Sequence, residues 1–537
     1  MLSAFRRDGP GTLQFWGLGL AIGVAGGFAT VLFRIGIAEL QLFLYGETDK
    51  QMASFASTLP WFWVLMIPIC GGLAVGFILH RFTNDGRPRG VAHVIEAAAL
   101  TEGRVEGKAG LASALGSFIT LSTGGSTGRE GPVVHLAAVI SSKISRVLRA
   151  DGVTSRDLLG CAVASAVAAS FNAPIAGTIF AMEVVLRHYA VHAFGPVVLA
   201  AVTGALISRL NFGDITEFTL AAQTLEFYVE LPAFVLLGLV CGVVAVVMMR
   251  AIFWTETLAD TVCLSLRVPP WLRPGLAGAA LGAIAIVFPH IIGVGYETTS
   301  NALTGSLTFQ VAILFAAVKV AAVAITVAGR MGGGVFSPAL MIGALTGLSF
   351  GLVATSIFPT VSGAQTLYAL AGMGAVAAAV LGAPISTSLI VFEMTGDWQT
   401  GFAVMVAVAV STSLASKFVA RSFFLEQLER RDVHLAAGPQ AYLLATIPVS
   451  DLMRAPDHPR AGDPERCETL LSEGVYVGQA ASLEAALPVF DGATHPFVPV
   501  TRPSDQGELE IIGSLWQVDA WRAYSQAMAE TSREHHG

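Results

Sequence analysis

Long apolar runs recur along the chain and constrain its fold more than any other feature. A helix needs about 20 consecutive, mostly apolar residues to cross roughly 30 Å of hydrocarbon. Runs that can form such spans lie at 12–33, 61–79, 193–208, 233–249, 275–292, 311–328, 339–358 and 402–419. Only 13% of the residues are charged, about half the fraction typical of soluble domains. The sequence therefore predicts a polytopic membrane protein with roughly ten or more spans.

Basic residues beside the first two apolar runs predict the orientation of the chain. Arg6 and Arg7 precede the first run, and Arg81, Arg87 and Arg89 follow the second. Because cytoplasmic loops carry an excess of Lys and Arg, we expect a cytoplasmic N-terminus. The first run lacks a small-residue cleavage site and precedes many more spans, which favours a retained helix over a signal peptide. We expect a multi-pass protein of the cell membrane, in bacteria the inner membrane, with both termini in the cytoplasm.

The net charge of −7 is unevenly spread and divides the chain into two parts. Residues 440–537 contain fourteen Asp or Glu and six Lys or Arg, a net charge of −8, which leaves about +1 on the rest. We therefore predict a membrane domain over 1–435 and a soluble, acidic cytoplasmic domain over 440–537. The five cysteines are scattered singly, and they predict neither a disulfide framework nor a metal site.

The membrane domain contains an internal repeat of segments interrupted by glycine and proline. Three motifs recur in the same order in the two halves: 128-GREGP-132, 173-APIAG-177 and 181-AMEVV-185, then 333-GGVFSP-338, 383-APIST-387 and 391-VFEMT-395. The spacing from Pro174 to Glu183 and from Pro384 to Glu393 is nine residues in both halves. Paired interruptions of this kind are typical of transporters and channels whose binding site lies near the membrane midplane. Similarity of Ala/Gly-rich composition alone is the alternative explanation.

The glycine-rich turns that end at Pro132 and Pro338 predict helix starts that face an anion. Glycine lets the backbone approach a ligand, and proline is tolerated in the first helical turn. The N–H groups there carry the positive end of the helix dipole, which attracts anions. Glu130 would then be a tethered anion that competes with a permeating ion and leaves on protonation or rotation. The alternative is a carboxylate that only caps the helix or pairs with Arg129.

Four ordered motifs resemble those of the CLC family of chloride channels and proton-coupled chloride exchangers: 128-GREGP-132, 171-FNAPIAG-177, 332-GGGVFSP-338 and 382-GAPIS-386. The resemblance covers roughly residues 12–435. It implies an all-α membrane fold of two inverted repeats with tilted and broken helices, in a homodimer with one pore in each subunit. It also implies that Glu130 is the gate. The backbone amides that it implies for anion binding are those of Gly128, Arg129, Gly131, Val335 and Phe336.

Three positions depart from the pattern of that family. The stretch 88-PRGVA-92 matches Gly-Ser-Gly-Ile-Pro, so Arg89, beside Gly90, replaces a serine that contacts the anion. Phe424 replaces a tyrosine whose hydroxyl completes the same site, and Val184 replaces the glutamate that relays protons in exchangers. We expect Arg89, Gly90 and Phe424 at the anion site. A loop arginine that serves topology and an aromatic residue that only packs are the alternatives. Val184 favours passive conduction, because valine carries no proton.

Helical and strand-like runs over 449–524 predict a small α/β domain, which resembles a single CBS repeat. The resemblance implies a regulatory or dimerisation domain. Such repeats place Ser or Thr three residues before an aspartate that binds ribose. Here Trp516 precedes Asp519 at that spacing, which argues against nucleotide binding.

Together these features predict a passive, glutamate-gated chloride channel. Its expected partners are chloride or a similar anion, the lipid bilayer and a second subunit. A proton-coupled antiporter for chloride, another halide or nitrate is the alternative. A membrane enzyme or sensor is the candidate from another class, but no nucleophile and base pair at a recognisable spacing. The sequence shows no P-loop or dinucleotide fingerprint, and predicts no cofactor, no metal and no nucleic acid partner.

Overall fold

The computed structural model describes most of the chain. The described residues are 12–150, 152–189, 191–213, 230–359, 362–395, 398–419, 421–433, 435, 444, 447–491, 495–503 and 509–534. The orientation signal predicted at Arg6 and Arg7 lies outside them.

Helices make up the membrane domain, as predicted. Those of the first half are α1 (Thr12–Tyr45), α2 (Met52–Ala56), α3 (Trp61–Phe82), α4 (Val91–Leu100), α5 (Gly107–Ser122), α6 (Glu130–Leu148), α7 (Gly152–Phe171), α8 (Pro174–Phe180) and α9 (Val191–Phe212). A π-helical segment, Ala181–Leu186, continues α8.

The second half repeats this alternation of long and short helices. Its helices are α10 (Leu231–Ser265), α11 (Arg273–Val287), α12 (Tyr296–Leu303), α13 (Phe309–Ala328), α14 (Phe336–Ile357), α15 (Gln365–Leu381), α16 (Pro384–Thr395), α17 (Trp398–Phe418) and α18 (Phe423–Glu429). A 3₁₀ turn, Pro289–Ile291, follows α11.

Among the described residues, seven helical segments are long and apolar enough to cross a membrane. Seven of the eight predicted runs lie within these segments, to within one residue at their ends. The exception is the run 275–292, where α11 ends at Val287, two residues before Pro289. Proline removes a backbone donor and clashes with the preceding turn, so the helix stops short of a full span. The protein is a multi-pass membrane protein that also contains several shorter apolar helices.

The centre of the membrane domain is built from two helices that are rich in small residues. Both α7 and α15 are buried on nearly all sides, as expected for helices that are apolar all round. Their small side chains let neighbouring backbones approach closely. At the contact of α15 with α14, a Cβ atom on Gly347 would lie 2.1 Å from the Tyr368 carbonyl oxygen. These two helices therefore occupy equivalent central positions in the two halves.

The acidic tail is a small α/β unit, as predicted. It contains α19 (Pro464–Ser472), β1 (Val477–Gly478), α20 (Leu483–Asp491), β2 (Phe497–Pro503), β3 (Leu509–Trp516) and α21 (Gln517–Glu534). The sheet order is β1-β2-β3, with β1 parallel and β3 antiparallel to β2. Its own apolar core includes Val498, Val500 and Leu515.

Candidate functional site

The two glycine-rich turns meet at the centre of the membrane domain. Gly128 and Gly334 form an isolated antiparallel bridge, with N–H to O=C distances of 2.7 and 2.8 Å in the two directions. Next to this bridge, only glycine fits at position 333, because a Cβ atom on Gly333 would lie 2.0 Å from the Thr127 hydroxyl oxygen. The bridge holds the first turns of α6 and α14 side by side. The two predicted helix starts are therefore confirmed, and they belong to one site.

Glu130 lies between these two helix starts. It is the first residue of α6, and its carboxylate accepts a hydrogen bond from the Ser337 hydroxyl in the first turn of α14. The backbone N–H groups of Glu130 and Ser337 also point to this carboxylate. The side chain is 5% exposed. A negative group in this place interacts favourably with the positive ends of both helix dipoles.

A cavity of about 120 Å³ begins at Glu130 and is lined mainly by apolar and basic side chains. This volume is large enough for a few water molecules or an ion of similar size. The charged side chains in its wall are Arg87, Arg89, Arg330, Arg430, Arg431, Glu130 and Glu256. Five positive charges against two negative ones make the wall net positive. Such a wall raises the local concentration of anions.

Most of the predicted anion contacts lie in this cavity wall. They are Arg89, Gly90, Gly131, Val335, Phe336 and Phe424. Gly128 differs from the prediction, because its N–H donates to Gly334 O. An anion can reach the Gly128 amide only if the bridge opens.

The Arg129 side chain points away from the cavity. Its guanidinium donates to the Tyr296 hydroxyl and lies over the Tyr296 ring, 5.0 Å from the ring centre. The Arg129 charge also acts on the Glu130 carboxylate. Pairing with Arg129 was the alternative role for Glu130, and it stays open beside the contact with Ser337.

Comparison with known proteins places this geometry in a family. The family model described as voltage gated chloride channel matches residues 71–416. The chain belongs to this family, the CLC family. A putative ClcB-like chloride channel protein of Ralstonia nicotianae is 32% identical over 423 residues, which are 78% of this chain and 97% of that one.

Solved CLC structures have the same fold as this chain. A slow cyanobacterial Cl−/H+ antiporter matches with a TM-score of 0.69 at 21% identity, over 78% of this chain and 97% of its own. A eukaryotic CLC transporter matches with a TM-score of 0.66 at 17% identity, over 94% of this chain and 98% of its own. The second match extends beyond the membrane domain into the acidic tail. At these identities the likeness shows the fold alone.

Arg89, one of the departures from the CLC pattern, lies in a network of charged and polar groups. Its backbone N–H donates to Ser113 Oγ at 2.8 Å, and its guanidinium binds Asp85 at 2.9 Å and faces His93 Nε2 at 3.1 Å. Burial acts to raise the pKa of the loop residue Asp85, but the Arg87 backbone N–H and the Arg89 charge outweigh it and lower the pKa. Asp85 thus stays ionised and neutralises part of the charge that Arg89 brings to the cavity.

Val184, another of the three departures, belongs to the π-helical segment and is not among the residues that line the cavity. The neighbouring Glu183 carboxylate points to the other half of the protein, where it accepts hydrogen bonds from the N–H groups of Ile385 and Ser386 at 3.0 and 2.7 Å. These are the first free donors of α16. Glu183 is therefore engaged at a helix start instead of facing the anion cavity.

Glu393 makes the equivalent contact in the opposite direction. Its carboxylate accepts from the N–H groups of Ile175 and Ala176 at 3.1 and 2.7 Å, at the start of α8. Each half therefore caps a broken helix of the other half. Sequence analysis found the equal spacing of nine residues but missed this exchange, for which the shared Pro-to-Glu spacing was the available signal.

Phe424, the third departure, is buried in the cavity wall against the ring of Phe423. It contributes an apolar surface where the family pattern has a hydroxyl donor. Phe424 therefore lines the cavity, as expected of its position, and also packs against its neighbour Phe423.

Asp519 of the tail, which the resemblance to a CBS repeat would place against a ribose, forms an ion pair. Arg454 binds its carboxylate at 2.7 Å and lies over the Trp516 ring, 4.8 Å from the ring centre. A nucleotide would have to displace this arginine. Within the described residues, no group of three or more His, Cys, Asp or Glu is placed to hold a metal ion.

Proposed function

We propose that this CLC protein is a passive chloride channel gated by Glu130, with one pore in each subunit of a homodimer. The proposal rests on the position of the Glu130 carboxylate, which lies where two helix starts converge at the end of a positively charged cavity. A chloride ion would be attracted to the same place by the same N–H groups and dipoles. Glu130 and the ion therefore compete, and departure of the side chain opens the path.

The positive cavity wall supports an anion as the transported species. The excess of arginine would oppose the entry of a cation. An anion would instead meet several weakly attractive sites, one after another along the cavity. Conduction needs binding that is strong enough for entry and weak enough for exit. The pairing of Arg89 with Asp85 keeps this arginine from being an uncompensated charge that would trap the ion.

A proton-coupled antiporter is the second candidate, because the cyanobacterial protein with this fold is a Cl−/H+ antiporter. Chloride, another halide or nitrate would then exchange for protons. Two features favour the channel instead. Val184 cannot relay a proton, and the carboxylate of Glu183 is held by the amides of Ile385 and Ser386.

One measurement separates these candidates. The protein is reconstituted in liposomes with a chloride gradient, and the external pH is recorded while chloride flows. We expect chloride flux whose reversal potential follows the chloride gradient alone, without proton movement. Uphill proton movement driven by chloride would establish the antiporter and rule out the passive channel.

Glu130 variants test the gate directly. Glu130→Gln and Glu130→Ala remove the competing negative charge, so we expect a higher basal chloride flux and a weaker pH dependence of that flux. Glu39→Gln is the matched control, because Glu39 is an exposed acid of the membrane domain outside the cavity wall. Unchanged flux and pH response in both Glu130 variants would contradict the gating role.

The homodimer is proposed from an exposed apolar surface on the short helices and their neighbours. The large exposed side chains there are Ile175, Phe194, Leu206, Leu210, Ile385, Phe402 and Met405. We further propose an inner-membrane protein with both termini in the cytoplasm and a CBS-like domain over 440–537 with a regulatory or dimerisation role. The charge distribution of the sequence supports this orientation.

A further inference from the structure

A second, much smaller cavity lies beyond the contact between Glu130 and Ser337. We call it the outer cavity, and it is lined by Phe171, Val294, Tyr296, Thr299, Ser337, Leu340 and Met394. Phe171 lines both this cavity and the arginine-rich one, so the two are neighbours. Glu130 belongs to the wall of the first cavity and Ser337 to that of the outer one, and their hydrogen bond separates the two. An anion that displaces Glu130 and moves past Ser337 therefore enters the outer cavity.

The outer cavity is too small to hold chloride. Its volume is about 10 Å³, which is at the lower limit for a single water molecule, and a chloride ion is larger than water. Part of the wall must therefore move before an anion can pass. The wall residues other than Tyr296 are at most 6% exposed, and the close packing of a protein interior leaves such side chains little room to move.

Tyr296 is the wall residue that reaches the surface. It is half-buried and forms the first residue of α12. The next side chain, Glu297, accepts a hydrogen bond from the backbone N–H of the exposed residue Ser54 at 3.0 Å. Because ionisable groups are costly in lipid, this end of α12 faces water. The Tyr296 ring therefore stands between the outer cavity and the solvent, and exposed side chains change rotamer readily.

Arg129 holds the Tyr296 ring in this position. Its guanidinium donates to the Tyr296 hydroxyl and lies over the ring, 5.0 Å from the ring centre. The hydrogen bond and the attraction between a cation and an aromatic face both favour this arrangement. Arg129 is the N-cap residue of α6, directly before Glu130. One turn of the chain thus carries both the proposed gate and the contact that fixes Tyr296.

We propose that Tyr296 is a second barrier of the anion pathway, in series with Glu130, and that the Arg129 guanidinium holds this barrier closed. The proposal rests on the proposed anion pathway. Departure of Glu130 lets an anion reach the outer cavity, and rotation of the Tyr296 ring widens this cavity and opens it to water. The ring also limits the size of the anion that passes, because the remaining wall is fixed by its packing.

The first experiment measures chloride flux of the full chain in liposomes. Glu130→Ala removes the first barrier, so Tyr296 should then limit the flux. We expect Glu130→Ala combined with Tyr296→Ala to conduct several-fold faster than Glu130→Ala alone. The gain from Tyr296→Ala should be smaller in the presence of Glu130, which still blocks the path. Equal flux in Glu130→Ala with and without Tyr296→Ala would overturn the proposal.

A matched control and a comparison of anions separate a barrier from a general change in structure. Tyr189 is 54% exposed and lines neither cavity, so Tyr189→Ala should leave the flux of Glu130→Ala unchanged. In the same background, Tyr296→Ala should raise the flux of iodide more than that of the smaller chloride ion. A protein that is merely destabilised would lose both fluxes together. An unchanged ratio of iodide to chloride flux would contradict the size limit assigned to Tyr296.

A second readout needs no anion flux. Leu340→Cys places a thiol in the wall of the outer cavity, and its reaction with a negatively charged methanethiosulfonate is followed by mass spectrometry. The protein without the added cysteine gives the baseline. We expect slow labelling beside Tyr296, several-fold faster labelling with Tyr296→Ala, and an intermediate rate with Tyr296→Phe, which keeps the ring but loses the hydroxyl that Arg129 binds.

The labelling rates decide between the two parts of the proposal. No increase with Tyr296→Ala would overturn the barrier. An unchanged rate with Tyr296→Phe would overturn the role of Arg129. Failure of the channel proposal looks different, because it appears as proton movement coupled to chloride, whereas labelling of Leu340→Cys reports only whether Tyr296 closes the outer cavity.

Discussion

Two charged side chains inside the membrane domain, Glu130 and Arg89, have opposite kinds of surroundings. An ionisable group within a membrane segment is costly unless it has partners. Glu130 is stabilised by the Ser337 hydroxyl and by two helix starts, with the Arg129 charge acting on it as well. Arg89 is paired with a full negative charge on Asp85. Under the proposed function, Glu130 would give up its place to an anion, whereas Arg89 would stay in the wall.

Asp85→Asn is expected to strengthen chloride binding at the cavity. The substitution removes the charge that offsets Arg89, so the wall becomes more positive. The pair is partly exposed, which limits the gain to about 0.5–1 kcal/mol, or roughly two- to fivefold in affinity. Calorimetric titration with chloride at low ionic strength checks this, and the gain should shrink as an inert salt is added.

A double-mutant cycle is the control for Asp85. In an Arg89→Gln background, Asp85→Asn should give no comparable gain, because the charge that it exposes is missing. The gain in chloride affinity should also be independent of pH near neutrality. The pKa of Asp85 lies below its usual 3.8, so the wild-type carboxylate is lost only when the pH falls through that lowered value. A gain that persists without Arg89 would show that Asp85 acts on the anion by another route.

At the level of helices, the carboxylates of Glu183 and Glu393 fasten the two halves of the membrane domain to each other. Each accepts two backbone N–H groups at the start of a helix in the opposite half, α16 or α8. Such a cap satisfies donors that have no intrahelical partner and places negative charge at the positive end of a dipole. Loss of either carboxylate would leave these donors without their partner.

Glu183→Ala and Glu393→Ala should therefore destabilise the protein by similar amounts. Loss of a charged cap costs about 1–3 kcal/mol in each case, and we expect a lower apparent Tm for both variants in detergent. Thermal loss of the monodisperse species checks this result. A large effect of only one substitution would contradict the equivalence of the two caps.

Glu183→Gln separates the cap from a role in proton transfer. The amide keeps one oxygen acceptor for the α16 donors, so we expect most of the stability and an unchanged chloride flux. If Glu183 relayed protons, this variant would lose proton movement while keeping anion flux. The matched variant Glu393→Gln shows how much of any change is due to the cap alone.

The helix starts at the anion cavity could be predicted from the local sequence. The contacts between residues far apart in the chain could not. Gly-rich turns ahead of Pro132 and Pro338 indicated the starts of α6 and α14, which begin at Glu130 and Phe336. These signals act over a few residues. Glu183 and its donors on α16 are 202 and 203 residues apart. The Pro-to-Glu spacing shared by the two halves shows that the two glutamates are equivalent, but it does not identify the distant amides that each carboxylate meets.

Arg89 shows a second limit of sequence analysis. The sequence predicted Arg89 at the anion site; the residue lines the cavity, and its contact with an anion stays a prediction. It did not predict that Asp85, four residues earlier, takes up the guanidinium, or that Arg431 shares the His93 ring. Charge balance in a site depends on which side chains face it together, and that is a property of the packed structure.

At the scale of the whole molecule, the tail contacts the membrane domain beside the end of α4, where Ala98 and Ala99 line a small cavity together with Arg156, Arg187, Ser482 and Glu484. Glu484, in the first turn of α20, binds Arg187 at 2.7 Å, and Arg156 donates to the Ala480 carbonyl at 2.7 Å. The Arg187 and Glu484 side chains are only 15% and 4% exposed. The opposite end of α4 forms the cavity wall at Gly90 and Val91. Ten helical residues, or about 15 Å, thus separate the tail contact from the anion pathway.

Breaking the Arg187–Glu484 pair should release the tail. Glu484→Gln removes the carboxylate charge that a largely buried guanidinium binds; breaking a fully buried pair costs about 3–5 kcal/mol. We expect faster amide hydrogen exchange at 478–491 and at the end of α4, with little change in α19. The exchanged pair Arg187→Glu with Glu484→Arg should restore part of the protection, because it restores opposite charges in contact. If amide exchange at the end of α4 stays at the wild-type rate in Glu484→Gln, the Arg187–Glu484 contact does not couple the tail to α4. Any effect of the tail on anion flux would then have to reach the cavity by another path.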